Sequence, residues 1–417
     1  MKKLLVIGYV WPEPNSSAAG YRMMQLLSLL QQHNYDITYS SAAVFSEHSV
    51  DLPSLGIHQH SIEVNSSSFN DFIKQLSPDV VLFDRFIMEE QFSWRVDDVC
   101  PQALKILETV DLHSLRDARH TAVKNNISPY ELNNLDFYTD TAVREVASIL
   151  RCDLSLMISE VEIEILKNKY QVDESLLFYL PFMFERLEEG KIKSQWKSFK
   201  QRQYFVTIGT FRHAPNWDSV LYLKNTLWPA IHKHLKHAEL HIYGSYLPKK
   251  AQQLHNPQQG FYIKGWADDA IETLSQYRVC LSPLRFGAGM KGKLADAMLT
   301  GTPSVTTSIG AESMNGKHAW PGFIMDDENG LVNAAIELYE NETLWQEKNN
   351  NILPIVNERF NKEKYGKDVI HKINELVTTL EEHRKKNFIG KMLRHHTMKS
   401  AMYMSQWIEA KNKPVKL

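Results

Sequence analysis

Short apolar runs alternate with longer amphipathic stretches along this chain, and that alternation predicts parallel strands joined by crossover helices. In the first half the runs are Leu4–Ile7, Ile37–Ala43, Val80–Phe83, Leu104–Leu107 and Leu154–Ile158. Between the first two, Met23, Met24, Leu26, Leu27 and Leu30 recur at helical spacing, so a helix with one core-facing side is expected there. The rhythm breaks between residues 185 and 203, where ERLEEGKIKSQWKSFKQRQ is charged and shows no strand pattern, as an interdomain linker would. It restarts with Tyr204–Ile208 and a helix carrying Val220, Leu221, Leu223, Leu227 and Ile231. The runs Leu240–Tyr243, Phe261–Lys264, Val279–Leu281 and Ser304–Thr307 follow. The economical reading is α/β, with two Rossmann-like doubly wound domains at residues 1–185 and 204–370, a linker at 186–203 and a helical, basic tail at 371–417. Ligands of such sheets sit beyond the carboxyl ends of the strands, so a central cleft between the domains is the expected site.

One stretch carries most of the chemistry. Residues 278–312 read RVCLSPLRFGAGMKGKLADAMLTGTPSVTTSIGAE. An apolar run ends at Pro283, a turn follows in which Gly287, Gly289 and Gly292 are interleaved with Lys291 and Lys293, and a helix is expected over Leu294–Leu299. A Gly301–Pro303 break then leads to the next strand. Backbone N–H groups at such a helix start can receive a phosphate. Cations at a helix N-terminus oppose its dipole, so two lysines there point to an anion. The glycines also spell a dinucleotide-binding spacing, with Glu312 twenty residues beyond Gly292. Three details count against a dehydrogenase: the turn follows a first sheet without such a motif, lysines occupy it, and Glu312 is expected in a loop past Gly310 rather than at a strand tip.

Composition narrows the class. Among 417 residues, 43% are hydrophobic and 23% charged, as in a globular protein, and a net charge of −2 argues against a nucleic-acid partner. Three cysteines, Cys100, Cys152 and Cys280, read as thiols in a reducing, cytoplasmic compartment. The opening MKKLLVIGYVWPEP reads as a first strand rather than a signal peptide, and no run reaches the length of a membrane span. From Arg384 onward nine Lys/Arg face the single acid Glu409, interleaved with Phe388, Ile389, Met392, Leu393, Met402, Met404, Trp407 and Ile408. Such a segment fits peripheral contact with the inner face of a membrane, or a terminal helix packed on the domains with a solvated basic side.

Beyond the glycine turn, GTFRHAPNWDSVLYL (209–223), ELHIYGSY (239–246) and GFYIKGW (260–266) stand in the order found in the C-terminal half of glycosyltransferase family 4, and GYVWPEPNSSAAGYRMMQLL (8–27) resembles that family's first strand, loop and helix. The resemblance spans about residues 1 to 370 and implies the GT-B architecture, in which the second domain holds a nucleotide-sugar. It implies a retaining transferase acting on a glycan or lipid-linked hydroxyl, in surface polysaccharide synthesis, with no metal or other cofactor. Carried over by position, Asp296 takes the place of the acid that binds the nucleotide ribose, with Gly265 and Trp266 as further nucleoside contacts. The companion acid falls at Ala288 and is missing. The usual arginine and lysine of the diphosphate clamp fall at Thr210 and Asn216, so the clamp is expected from Arg212, Lys291 and Lys293 with Gly20, Gly287 and Gly289. His113, in ETVDLHSLRDAR (108–119), matches the family's histidine loop, and with Lys291 it is the catalytic candidate. Arg22 lies close to Gly20, and Ser159–Glu160 falls near the expected cleft.

Two other classes stay open at this stage. The missing acid at Ala288 suits a non-catalytic GT-B binding protein, and a nucleotide-sugar 2-epimerase would share the architecture while needing acids around the sugar. The histidines His232, His234, His237 and His241 lie on a lysine-rich helix end and strand, away from the expected cleft, where solvated side chains are the simpler reading than zinc ligands.

Overall fold

The computed structural model describes residues 1–412, with backbone alone at 396–398. Strands buried on both faces should read as unbroken apolar runs, and LLVI and VVLF do so at the centre of the first sheet. That sheet comprises β1 (Lys2–Gly8), β2 (Tyr35–Ser41), β3 (His58–Ser61), β4 (Val80–Asp84), β5 (Leu104–Glu108), β6 (Leu154–Met157) and β7 (Leu177–Tyr179). Every pairing is parallel, in the order β3-β2-β1-β4-β5-β6-β7. The crossovers carry α1 (Ala18–Gln32), α2 (Ser68–Leu76), α3 (Phe86–Val99), α4 (His113–Lys124), α5 (Asp140–Arg151) and α6 (Glu160–Tyr170).

After α7 (Glu189–Gln195) the second sheet forms from β8 (Gln203–Ile208), β9 (Leu240–Tyr243), β10 (Phe261–Gly265), β11 (Tyr277–Ser282), β12 (Ser304–Thr306) and β13 (Gly322–Ile324). Its order is β10-β9-β8-β11-β12-β13, again parallel throughout. Its helices are α8 (Ala214–Tyr222), α9 (Trp228–His234), α10 (Lys249–Gln252), α11 (Ala270–Ser275), α12 (Gly292–Leu299), α13 (Ser308–Ala311), α14 (Glu328–Glu340), α15 (Glu342–Asn350) and α16 (Ile352–Arg359). The chain then returns to the first domain through α17 (Lys362–Lys386) and α18 (Phe388–Asn412). This is the GT-B arrangement of two Rossmann-like domains facing a cleft. The strand order reverses at β1/β4 in one sheet and at β8/β11 in the other, which fixes where a ligand crevice opens.

Several expectations are corrected. The segment 186–203 carries α7 and no strand before β8 begins at Gln203, and Trp196 lies against Gly301 while its Nε1 donates to the Leu299 carbonyl at 3.0 Å. Strand β3 shows no apolar run, because HQHS is a largely exposed edge strand; the other edge strands, β7 (LFY) and β13 (GFI), are apolar but only three residues long. The helix expected to carry Val220 through Ile231 is built as α8 and α9 joined by a π-type turn at Leu223–Leu227, with Pro229 at the start of α9. The C-terminal helix begins at Lys362, before the expected tail, and Tyr365, Val369, Ile370, Ile373, Leu376 and Leu380 complete the first domain's core.

A shared apolar core joins the domains below the cleft. Ile158, Phe182 and Phe184 pack there with Met290, Leu294, Trp320 and Phe360. Backbone bonds from Phe184 N–H to Phe360 O (2.7 Å) and from Lys362 N–H to Phe184 O (3.0 Å) stitch the return crossing.

Candidate active site

The loop after β1 and the turn after β11 leave their sheets at the two reversal points and meet. A Cβ on Gly292 would lie 2.5 Å from the Cβ of Ala18, so the starts of α12 and α1 abut across the cleft. The start of α1 is capped by Ser17, that of α6 by Ser159, that of α13 by Thr307 and that of α14 by Asp327. Helix α12, like α3, α4 and α8, has no side-chain cap, and there a cation, Lys291, stands at the N-cap. An uncapped helix start with cations beside it is suited to an anion.

The lysines differ in what they do. Lys291 is 9% exposed, with Nζ 3.2 Å from the Ala288 carbonyl and also bonded to that of Gly289, so it curls back over its own turn. Lys293 donates to Asn216 Oδ1 at 2.8 Å and reaches Gly209. It therefore lies beside Asn216, where the resemblance leads one to expect a clamp lysine. Burial lowers Lys291 and Lys293 each to about 8, and raises Asp296, one turn further along α12, to about 7.

From the first domain, α4 and α6 supply the opposing wall. Arg119 donates to the Gly287 carbonyl at 2.8 Å and forms a two-pronged pair with Glu312 at 3.0 and 2.5 Å. Glu312 follows α13 and serves as this interdomain partner. Glu162 is fully buried, and its Oε1 accepts from Leu112 N–H at 2.9 Å and Gly289 N–H at 2.7 Å. Its Oε2 has no hydrogen-bond partner among the described residues. Burial first, then the nearby Asp111 and Glu312, push its carboxyl up to about 8. Ala288, next to the amide that Glu162 accepts from, packs with the first domain's apolar core. A carboxylate at 288 would be desolvated there; the carboxyl at this point comes from α6 instead.

His113 opens α4 with Nε2 3.3 Å from Asp111 Oδ1 and its ring edge-on to Phe86. Burial lowers it to about 4, so it is neutral at pH 7 and acts as a hydrogen-bonding group, not a cation. Burial pushes Asp111 up, but Arg116 and His113 beside it hold its carboxyl well below the carboxylate range. Glu145 fixes the start of α4 by accepting from His113 N–H (2.8 Å) and Ser114 N–H (3.0 Å). Two non-glycine residues at neighbouring strand tips, Arg85 (φ 73°) after β4 and Val110 (φ 65°) after β5, hold left-handed backbone. Such strain is characteristic of functional sites.

The other expected positions have these surroundings. Gly20 is a packing residue: a Cβ there would sit 2.5 Å from the Glu13 carbonyl, so its bare Cα lets the loop after β1 cross α1. Arg22 is buried on Glu108. Arg212 is exposed at the rim, 3.4 Å above the Tyr246 ring, and not beside Lys291. Tyr246 in turn donates to Glu13 Oε1 at 2.8 Å, and Ser16 meets Ser245 at 3.0 Å. Gly265 ends β10 with φ 78°, and Trp266 stacks flat on His48 of the first domain at 4.2 Å. A base can use that indole face only after His48 withdraws. Ser159 meets Ser313 at 2.8 Å, and Glu160 pairs with Arg359. Of the histidine cluster, His241 is bound to Glu239 and Tyr277 at 2.7 Å each, and no three potential ligands gather among the described residues.

These contacts describe a closed cleft in which the glycine turn touches both domains. Gly289 has φ 63°, and a Cβ there would meet Asp111 Cβ at 3.0 Å and the Val110 carbonyl at 3.2 Å. Gly289→Ala is therefore expected to cost roughly 1–3 kcal/mol of closure. Turnover should fall about tenfold or more, with nucleotide affinity reduced less; equal losses in both, by steady-state kinetics and calorimetry, would count against this role.

The class follows from this geometry: two Rossmann-like sheets, reversed at facing points, make a GT-B fold. Residues 202–341 match the model of the family described as Glycosyl transferases group 1. Sucrose-phosphate synthase from Thermosynechococcus elongatus superposes with a TM-score of 0.64 at 13% identity, over 91% of this chain and 100% of that one. Anabaena HepE, in complex with UDP-glucose, gives 0.65 at 12% identity, over 90% and 100%. A glycosyltransferase from Rickettsia africae ESF-5 gives 0.62 at 11%, over 90% and 98%. At these identities the likeness is one of fold. No curated protein matches the chain by sequence.

Proposed function

We propose that this chain is a glycosyltransferase that moves a sugar, with retention, from a nucleoside-diphosphate donor to a hydroxyl of a glycan or lipid-linked acceptor. Surface polysaccharide synthesis at the cytoplasmic face of a membrane is the setting this reading favours. The observation that carries it is the uncapped start of α12, with Lys291 and Lys293, abutting the start of α1 across the cleft. A diphosphate seated there would receive backbone N–H groups from the turn and charge from both lysines. Positive charge fixed near the leaving diphosphate stabilises it most as the glycosidic bond breaks. Asp296 would accept from the ribose hydroxyls, and neutral His113 would hold a sugar hydroxyl. Glu162 stands where the missing acid at Ala288 would act. No metal or resident cofactor enters this scheme.

Seating the donor requires the turn to let go of Glu162, so the cleft must open and close in each cycle. Closure excludes water and limits hydrolysis of the donor. The test is a thermal-shift panel of UDP, GDP and their sugars, followed by assay for transfer and hydrolysis. Binding without turnover would favour the non-catalytic reading, to which the missing acid at Ala288 lends support.

Affinity for UDP should fall as pH rises from 7 to 9. Lys291 and Lys293 lose their protons around 8, while Glu162 gains its negative charge over the same range, so both changes disfavour an anion. One unit above its free pKa each lysine costs about tenfold in affinity. Calorimetry across that range checks it, and an affinity that is flat or rises would place the diphosphate elsewhere.

A further inference from the structure

The last helix has two unlike sides. Its inner side is seated on α3 and α5 of the first domain. Gly390 allows this, since a Cβ there would lie 2.0 Å from the Leu150 carbonyl. Asn387 donates to Leu150 O at 2.7 Å, Arg95 to Ser405 Oγ at 3.2 Å, and Ser67 to Glu409 at 2.6 Å. Gly390 and Ser405 are buried, with Leu393, Arg394, Ala401 and Ile408 partly so, at the three-to-four-residue spacing of one helix face.

The outer side is apolar and unmatched. Phe388, Ile389, Met392, Tyr403, Met404 and Trp407 are 46–71% exposed. The charge beside them has one sign. Lys391, Lys399 and Lys411 are exposed and Lys386 immediately precedes the helix, while Lys385 is paired with Glu381 one turn back on α17. The acid of this helix, Glu409, is turned to Ser67 and Arg95. Arg384 is turned inward as well, bonded to Asp153 at 2.7 Å. The outward charge is thus positive, although the chain as a whole carries −2.

We propose that the outer face of α18 lies flat on an anionic lipid bilayer. Aromatic and long apolar side chains with lysines at their flanks match a lipid–water boundary, where the stems enter the apolar layer and the ammonium groups stay with phosphates. The helix lies on the surface and does not cross it, since no helix among the described residues is long and apolar enough to span a membrane. A second copy of the chain is the poorer occupant: two-fold pairing of this face would set its lysines against each other. The proposal deepens the transferase reading and rests on it for one consequence alone, that the first domain presents its side of the cleft to a lipid-linked acceptor.

The experiment is co-sedimentation of the full chain with phosphatidylglycerol/phosphatidylcholine vesicles and with phosphatidylcholine alone, alongside UDP thermal shift and light scattering. The wild type should bind anionic vesicles at least tenfold more tightly than neutral ones. Phe388→Ser with Trp407→Ser, and separately Lys391→Glu with Lys399→Glu, should each lose at least tenfold with the UDP shift unchanged. Equal binding to both vesicle types, or binding that survives both variants, overturns the proposal. A dimer that these variants dissolve, without vesicle binding, overturns it in favour of a second copy. Vesicle binding by a chain that binds no nucleotide supports the lipid surface and counts against the transferase reading instead.

Discussion

Replacing Lys291 with methionine should lower sugar transfer by roughly 10²–10³-fold while the protein stays folded. The stem of Lys291 is packed and its Nζ is held by two carbonyl oxygens of the glycine turn, so methionine keeps the apolar contacts and removes the charge alone. A cation fixed beside a departing diphosphate acts chiefly in the transition state, so kcat should fall more than KM changes. Steady-state kinetics with the donor identified by thermal shift, together with circular dichroism, gives both numbers. A variant with wild-type kcat would remove Lys291 from the chemistry. One unfolded at room temperature would assign it to structure.

The second large effect concerns stability. Arg22→Met should cost about 3–5 kcal/mol, because it leaves Glu108 buried and unpaired in the first domain. The guanidinium is 1% exposed; Nε and Nη2 meet the two Glu108 oxygens at 2.7 and 3.1 Å, and Nη1 meets the carbonyls of Leu180 and Pro181 at 2.7 and 3.0 Å. Those bonds tie α1 to the tip of β5 and to the segment that enters the interdomain core. Urea unfolding followed by tryptophan fluorescence measures the loss. The double variant Arg22→Met, Glu108→Leu should recover most of it, since removing both partners leaves no stranded charge. A stable single variant with weakened UDP binding would instead return Arg22 to the donor site.

These two residues show how far the sequence carries the argument. Lys291 is legible because its anomaly is local: a cation at a helix start, within a glycine-rich turn, after an apolar run. Arg22 is not, because its partner is 86 positions away and nothing near position 22 marks it as paired. The same divide runs through the rest of the site. The central strands declare themselves by unbroken apolar runs, since both their faces are covered. The edge strand β3 does not, because HQHS has one side in water. Arg119 and Glu162 meet the turn only through the docking of two domains, so no spacing within either half announces them, and the pairing of Glu312 with Arg119 arises from the same docking. Glu162 sits in an ordinary helical run, EVEIEIL, and its weight comes from burial beside Gly289. Resemblance located the missing acid at Ala288, and the carboxyl of Glu162 from the other domain lies one residue along, bonded to the Gly289 amide. Arg212 shows the reverse case: it lies two residues from the position at which the resemblance expects a clamp arginine, yet stacking on Tyr246 holds it at the rim.

The helix start at Gly292 is the point on which donor binding, domain closure and the role of both lysines depend. A crystal structure of the chain with saturating UDP tests it most directly. The diphosphate is expected within hydrogen-bond distance of the Gly292 and Lys293 amides, with Glu162 displaced from Gly289. A nucleotide bound away from this turn, with the Glu162 bond to Gly289 intact, would contradict the account.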